Sequence, residues 1–209
     1  MTALRPGGFF LTDRLLSQVN ISSKSRVLDI GCGEGETLAY ISTEHGCSIF
    51  GVEPDPAHLE LARAANPAAT IIPAVAEELP FDDDSFDIVL AECVFSLSSD
   101  MAKALREAHR VLIKGGMLLM SDVCAKNSCI ELGSGMIRHL RSRGEIFALV
   151  QSENFSLCYD EDADASIKSL LGQMIFDYGR EEAYHLLGLD ACSLRAAGPG
   201  YFLLAAEAI

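Results

Sequence analysis

The stretch VLDIGCGEGET, Val27 to Thr37, decides how the chain is read. An apolar run meets three glycines, at 31, 33 and 35, and a helix-like segment follows. Strand, tight turn and helix in that order open a βαβ unit. The layout is GxGxG, where a dinucleotide-binding loop reads GxGxxG. On the glycines alone the loop could cradle a pyrophosphate, hold another nucleotide-like cofactor, or only turn the chain.

The charges beside the glycines narrow that choice. A pyrophosphate cradle aims backbone N–H groups at anionic oxygens from a helix N-terminus. Here Asp29 stands two residues before the first glycine, and Glu34 and Glu36 lie in or just beyond the loop. Three carboxylates repel two phosphates and favour a cationic or zwitterionic ligand.

Outward from this loop, residues 26 to 122 alternate short apolar or β-branched runs with helical periodicity. RVLDI predicts a first strand, Glu36 to His45 a helix closed by Gly46, and SIFGVE a second strand. Asp55 and Pro56 predict the cap and first position of a helix running to Ala65. ATIIPA, FDIVLAE (86 to 92) and MLLMSD (117 to 122) predict further strands. Ser98 or Ser99 is expected to cap a helix over 100 to 112, with KGG (114 to 116) breaking it.

Before these units, Leu11, Leu15, Leu16 and Val19 form the apolar stripe of a leading helix that Thr12 could cap. After them come a helix at 144 to 153, a strand at FSLCY and a helix from Asp164. The stripe Ile167, Leu170, Leu171, Met174, Ile175 and Tyr178 reads as core on that last helix. GYFLLAAE (200 to 207) is expected as a closing strand.

The expected fold is therefore α/β: a Rossmann-like, doubly wound, mostly parallel seven-stranded sheet with helices on both faces. Five strands read clearly and two lie in the C-terminal part. No linker or repeat marks a second domain, so 1–209 is read as one unit. It divides into an arm and first helix (1–23), a cofactor-binding core (24–124), a substrate-side elaboration (125–199) and the closing strand (200–209).

Sixteen basic against 30 acidic residues give a formal charge of -14, a field that repels nucleic acid and anionic membranes. No apolar run reaches the roughly 20 residues of a membrane span, and MTALRPGGFF is unlike a signal peptide. A cytoplasmic protein is expected. Seven cysteines without a CxxC pair, and five histidines outside any HxxxH or HExxH spacing, argue against a disulfide framework and against a metal site.

LDIGCGEG (28–35), GVEPD (51–55), AEELPFDDDSFDIVLAE (76–92) and REAHRVLIKGGMLLMSD (106–122), in that order, resemble the motifs of class I S-adenosylmethionine (SAM)-dependent methyltransferases of the ubiquinone/menaquinone-methylase type. The resemblance covers about residues 24 to 124. It implies SAM as cofactor, S-adenosylhomocysteine as product, and a small-molecule acceptor.

By that resemblance the backbone at Gly31, Cys32, Gly33 and Gly35 lies under the cofactor. Asp29 orients the loop and the methionine amino group, and Glu53 accepts the ribose hydroxyls. Pro54, Ala76, Glu77, Glu92 and Cys93 complete the implied cofactor-binding set. The family commonly has an acid where this chain has Val75, so either Glu77 or a backbone carbonyl meets the adenine amino group instead, or adenine is held more weakly. Methyl transfer from a sulfonium depends mainly on positioning, and no catalytic residue is assigned.

The acceptor is open among a quinone-like ring, a carboxylate and an amine. Cys93, with Cys129 more loosely, also lies where arsenite methyltransferases carry cysteines, which keeps a metalloid acceptor as an alternative. Against it, no cysteine precedes residue 32. From a different class, the alternatives are a SAM-binding module without catalysis and a nucleotide-binding oxidoreductase, the latter disfavoured by GxGxG and by the acids in the loop. Phe9 and Phe10 are expected either to anchor the first helix or to line the acceptor pocket.

Overall fold

The computed structural model describes residues 5–126, 130–131, 139–186 and 198–209. In chain order the elements are α1 (Gly8–Leu16), β1 (Arg26–Ile30), α2 (Glu36–His45), β2 (Ser48–Val52), α3 (Pro56–Ala65), β3 (Thr70–Ile72), β4 (Phe86–Glu92), α4 (Met101–Val111) and β5 (Leu112–Ala125). There follow β6 (Ile130–Glu131), β7 (His139–Leu140), α5 (Arg143–Ser152), β8 (Phe155–Asp162), α6 (Asp164–Tyr178), α7 (Arg180–Leu186) and β9 (Pro199–Ala208).

The main sheet has seven strands in the order β3-β2-β1-β4-β5-β9-β8. Strands β1 to β5 pair in parallel, and β9 runs antiparallel between β5 and β8. The expected fold class is observed.

Strand periodicity builds two cores, one on each sheet face. Val27, Leu119, Leu203 and Ala205 point one way, against Leu11 and Leu15 of α1, Leu38 and Ile41 of α2, and Leu59 of α3. Leu28, Leu118, Leu204 and Ala206 point the other way, against Ala104, Leu105 and Ala108 of α4 and Ile146 and Val150 of α5.

Several boundaries differ from expectation for local reasons. Thr12 does not cap α1: Gly7 stands at the cap in a left-handed conformation, and Thr12 is buried a turn further on. Asp100, rather than Ser98 or Ser99, caps α4 by accepting the Lys103 N–H at 3.0 Å. KGG lies inside β5, where a register shift between Phe86 and Ile88 absorbs it and Gly115 takes φ +79°.

Along α6 only Met174 of the expected stripe is fully buried, and Tyr178 is 53% exposed. That helix packs on β9 and the short α7, which give it less cover than a sheet face would.

Candidate functional site

Parallel strands end together at one edge, and the loops that follow them form the concave site. At the C-terminal ends of β1, β2 and β4 a cavity of about 720 Å³ is lined by Gly31, Glu53, Pro54, Ala76, Glu77 and Cys93, together with His58, Val75, Leu97 and Lys103.

The glycine loop is held from behind by β2: the Gly31 and Cys32 amides donate to Val52 O at 2.8 and 3.0 Å. Its glycines carry positive φ for different reasons. A Cβ on Gly31 would lie 2.7 Å from Val94, and one on Gly35 would lie 2.4 Å from the Asn66 amide nitrogen and 3.0 Å from the Ala62 backbone. A Cβ on Gly33 would meet nothing within 4 Å, because the loop there faces open space.

Glu53 closes the loop from the end of β2. One carboxylate oxygen accepts the Gly33 N–H and the other the Asp55 N–H, each at 2.9 Å. The side chain is buried yet borders the cavity, so lone pairs remain for a ligand hydroxyl.

Behind the loop lies a buried charged cluster. Glu92 accepts hydrogen bonds from Thr12 at 2.9 Å and Thr37 at 3.4 Å, and Arg5 stands 3.3 Å from it. Arg5 also donates to Thr37 and Thr12, at 2.7 and 2.9 Å. Burial, then the neighbouring Glu92, pushes the Asp29 carboxyl well above its ordinary range, with Arg5 opposing. Burial raises Glu92 too, against Arg5 and the two threonines. One guanidinium for two buried carboxylates leaves the cluster suited to a further cation.

Other expected residues have narrower parts. Cys32 turns its thiol onto β2, where a Cβ at Gly51 would lie 2.8 Å from the sulfur. Only the main chain of Cys32 is left for a ligand, and Gly35 packs on α3.

One Glu77 oxygen accepts the Ser99 N–H, the Ser99 hydroxyl and the Asp100 N–H at 2.6, 2.8 and 3.2 Å. Burial pushes Glu77 up, but these bonds outweigh it and leave the carboxyl below its ordinary value. Glu77 thereby ties the start of α4 to the cavity wall.

Cys93 takes φ +58°, and its sulfur lies 3.1 Å from Tyr201 OH, which donates to Ser121 at 2.9 Å. Burial, then Asp122, pushes the Cys93 thiol up. Cys129 lies outside the described residues. Among the described residues no three His, Cys, Asp or Glu side chains converge as metal ligands would.

Phe9 stacks on Tyr40 at 4.8 Å and Phe10 is 66% exposed; neither lines the cavity. The sequence does not single out Arg5 or Thr37 and offers Thr12 only as a helix cap, because a lone arginine before PG and two threonines form no pattern. Only the packing of the arm and of α1 brings them to Glu92.

Residues 28–120 match the family model described as a methyltransferase domain. An uncharacterized methyltransferase, YodH, of Bacillus subtilis (strain 168) is 37% identical over 58% of this chain and 53% of its own length. Sarcosine/dimethylglycine N-methyltransferase of Halorhodospira halochloris is 31% identical over 57% of this chain and 44% of its own. The chain thus spans about half the length of the curated relatives it matches.

The crystal structure of geranyl diphosphate C-methyltransferase from Streptomyces coelicolor A3(2), a complex with Mg2+, geranyl diphosphate and S-adenosyl-L-homocysteine, superposes with TM-score 0.77. It is 17% identical, covers 96% of this chain and 78% of its own, and shares the fold. Loop, sheet order and sequence agree: residues 28–120 are a class I SAM-dependent methyltransferase domain.

Proposed function

We propose that this chain is a cytoplasmic enzyme that transfers a methyl group from SAM to a small molecule, working as one domain over residues 1–209. The observation that carries the reading is the pairing of Glu53 with the Gly33 amide at the cavity edge, beside open space at Gly33. A ribose diol fits a carboxylate with spare lone pairs, and the methionine ammonium fits the half-neutralised Asp29–Glu92 cluster.

In this reading the backbone of Gly31, Cys32, Gly33 and Gly35 carries the cofactor, with Asp29 and Glu92 beneath it. Pro54, Ala76, Glu77 and Cys93 form the walls. When bound, SAM supplies an electrophilic methyl: the acceptor's lone pair forms the new bond as the methyl–sulfur bond breaks, and S-adenosylhomocysteine is released. The chain contributes placement and the exclusion of water. The formal charge of -14 speaks against nucleic acid as acceptor. Among the described residues no helix is long and apolar enough to cross a membrane.

The arsenite alternative gains no support, since the Cys93 thiol is held protonated by burial and is bonded to Tyr201. Calorimetry with SAM, S-adenosylhomocysteine and NAD tests the cofactor, and a labelled-SAM screen against quinols, carboxylates, amines and arsenite tests the activity. SAM and S-adenosylhomocysteine should bind and NAD should not. NAD binding without SAM binding would overturn the assignment.

A further inference from the structure

A second cleft, of about 410 Å³, opens between the N-terminal arm and α6. We infer that it holds the methyl acceptor and that this acceptor is a small molecule bearing a carboxylate; the inference rests on the methyl-transfer reading above.

The wall chemistry points to an anion. In a chain with 30 acidic and 16 basic residues, this cleft is lined, among the described residues, by no carboxylate and by one charged side chain, Arg5. Opposite Arg5, α6 presents Ser166, Ser169 and Gln173. Their spacing of three and then four residues puts them on one face of the helix. Leu170, from the stripe that runs through Met174, and Ala165 line the cleft beside them, so α6 offers hydrogen-bonding groups next to an apolar strip.

Gln173 already gives its amide hydrogens to Asp177, at 2.9 Å to each oxygen. The donors left for a ligand are the two serine hydroxyls and Arg5. The Arg5 Nε–H is buried without an acceptor among the described residues, although the side chain makes an ion pair and two hydrogen bonds through its other nitrogens. A turn of the Arg5 side chain toward the cleft would bring this enclosed N–H to a ligand, and a carboxylate would then supply its acceptor together with charge.

Position joins the cleft to the reaction. Arg5 bonds to Thr37, just past the glycine loop, and pairs with Glu92, the residue before Cys93 on the cavity wall. Arg5 lines the second cleft only, and its bonds to Thr37 and Glu92 tie that cleft to the ends of the strands that border the first cavity.

The carboxylate could belong to the acceptor or to the methionine end of the cofactor, and the test separates them. Butyrate, lactate and benzoate, each with its amide counterpart, are titrated by calorimetry and ligand-observed NMR into protein saturated with S-adenosylhomocysteine. At least one acid should bind, with its amide at least tenfold weaker. Arg5→Gln and Ser169→Leu, the latter filling the cleft from an exposed helix position, should each weaken that acid at least tenfold. Ser169→Leu should leave S-adenosylhomocysteine affinity within threefold.

No binding by any acid, equal binding by acid and amide, or unchanged acid affinity in Ser169→Leu would overturn the inference. So would a tenfold loss of S-adenosylhomocysteine affinity in Arg5→Gln with no acid bound by the wild type, which would give the carboxylate to the cofactor. Should Arg5→Gln not fold, Ser169→Leu decides alone. Failure of S-adenosylhomocysteine itself to bind shows before any acid is added, and sinks the methyl-transfer reading along with this one.

Discussion

Glu53 and Gly33 lie 20 residues apart in sequence and meet at 2.9 Å, carboxylate to backbone amide, so the acid of β2 fixes the middle of the loop that follows β1. The same carboxylate is the one proposed to accept the ribose hydroxyls. Charge-assisted bonds of this kind are worth roughly 1.5–3 kcal/mol each, partly offset as water re-enters. Glu53→Gln also sets an amide N–H2 against one of two backbone donors. SAM and S-adenosylhomocysteine should both weaken by about 30- to 1000-fold, or ~2–4 kcal/mol. Calorimetry on a variant shown folded by circular dichroism checks this, and binding of both within about threefold of wild type would refute it.

The three loop glycines should respond differently to alanine. Each pays about 1–2 kcal/mol for a side chain at positive φ. At Gly33 nothing else is disturbed in the protein, since a Cβ there reaches open space. At Gly35 the Cβ drives into the Asn66 amide and the Ala62 backbone, undoing the bonds Asn66 makes to Gly35 O and Ala62 O at 2.9 and 3.0 Å. Gly33→Ala should therefore keep most of the melting temperature and lose cofactor affinity. Gly35→Ala should lose several degrees more in Tm. Equal Tm losses, read by scanning calorimetry with and without SAM, would contradict the packing argument.

The sheet was legible because its signals are local. Apolar runs bounded by glycine, proline or acidic turns place β1 and β4 at their observed limits and β2 within one residue of them, and Asp55 before Pro56 marks the start of α3. Competing caps were not separable: Ser98, Ser99 and Asp100 can all cap α4, and Glu77, 22 residues away in sequence, takes the Ser99 donors and leaves Asp100 the role. In the site, the glycines, Glu53 and Cys93 follow strand ends and could be located. Arg5, Thr12 and Thr37 could not, since their meeting at Glu92 depends on where α1 docks.

Thiol reactivity should rank by environment. Burial pushes up the Cys32, Cys93 and Cys124 thiols, while Cys158 is exposed on β8. The thiolate is the nucleophile, so a raised, covered thiol reacts slowly. Timed iodoacetamide labelling of the native protein at pH 7.5, mapped by mass spectrometry, should modify Cys158 at least tenfold faster than Cys93. Arsenite should not be methylated, and robust arsenite turnover that is lost in Cys93→Ser would reverse that expectation.

The last prediction concerns Asp122, buried on β5, which accepts the Ser96 and Val123 amides at 2.8 Å each. Burial outweighs those bonds and raises its carboxyl from 3.8 to about 6. A native acid that ionises late binds more protons than its unfolded counterpart, so stability is gained as pH falls through about 6 and lost as pH rises. Two pH units at ~1.36 kcal/mol each bound the effect near 3 kcal/mol. Asp29 and Glu92 are raised as well and act in the same direction. Glu77 and Glu107 are lowered, so their stabilisation persists until pH falls towards their ordinary value of 4.5, below the window of interest. The ligand-free protein should thus gain Tm between pH 7.5 and 5.5. Asp122→Asn should flatten that gain whatever its own Tm, because the slope, unlike the level, does not depend on the hydrogen bond an amide fails to make. Equal slopes for variant and wild type in scanning calorimetry would show that Asp122 is already ionised throughout, and that its two amide donors outweigh its burial.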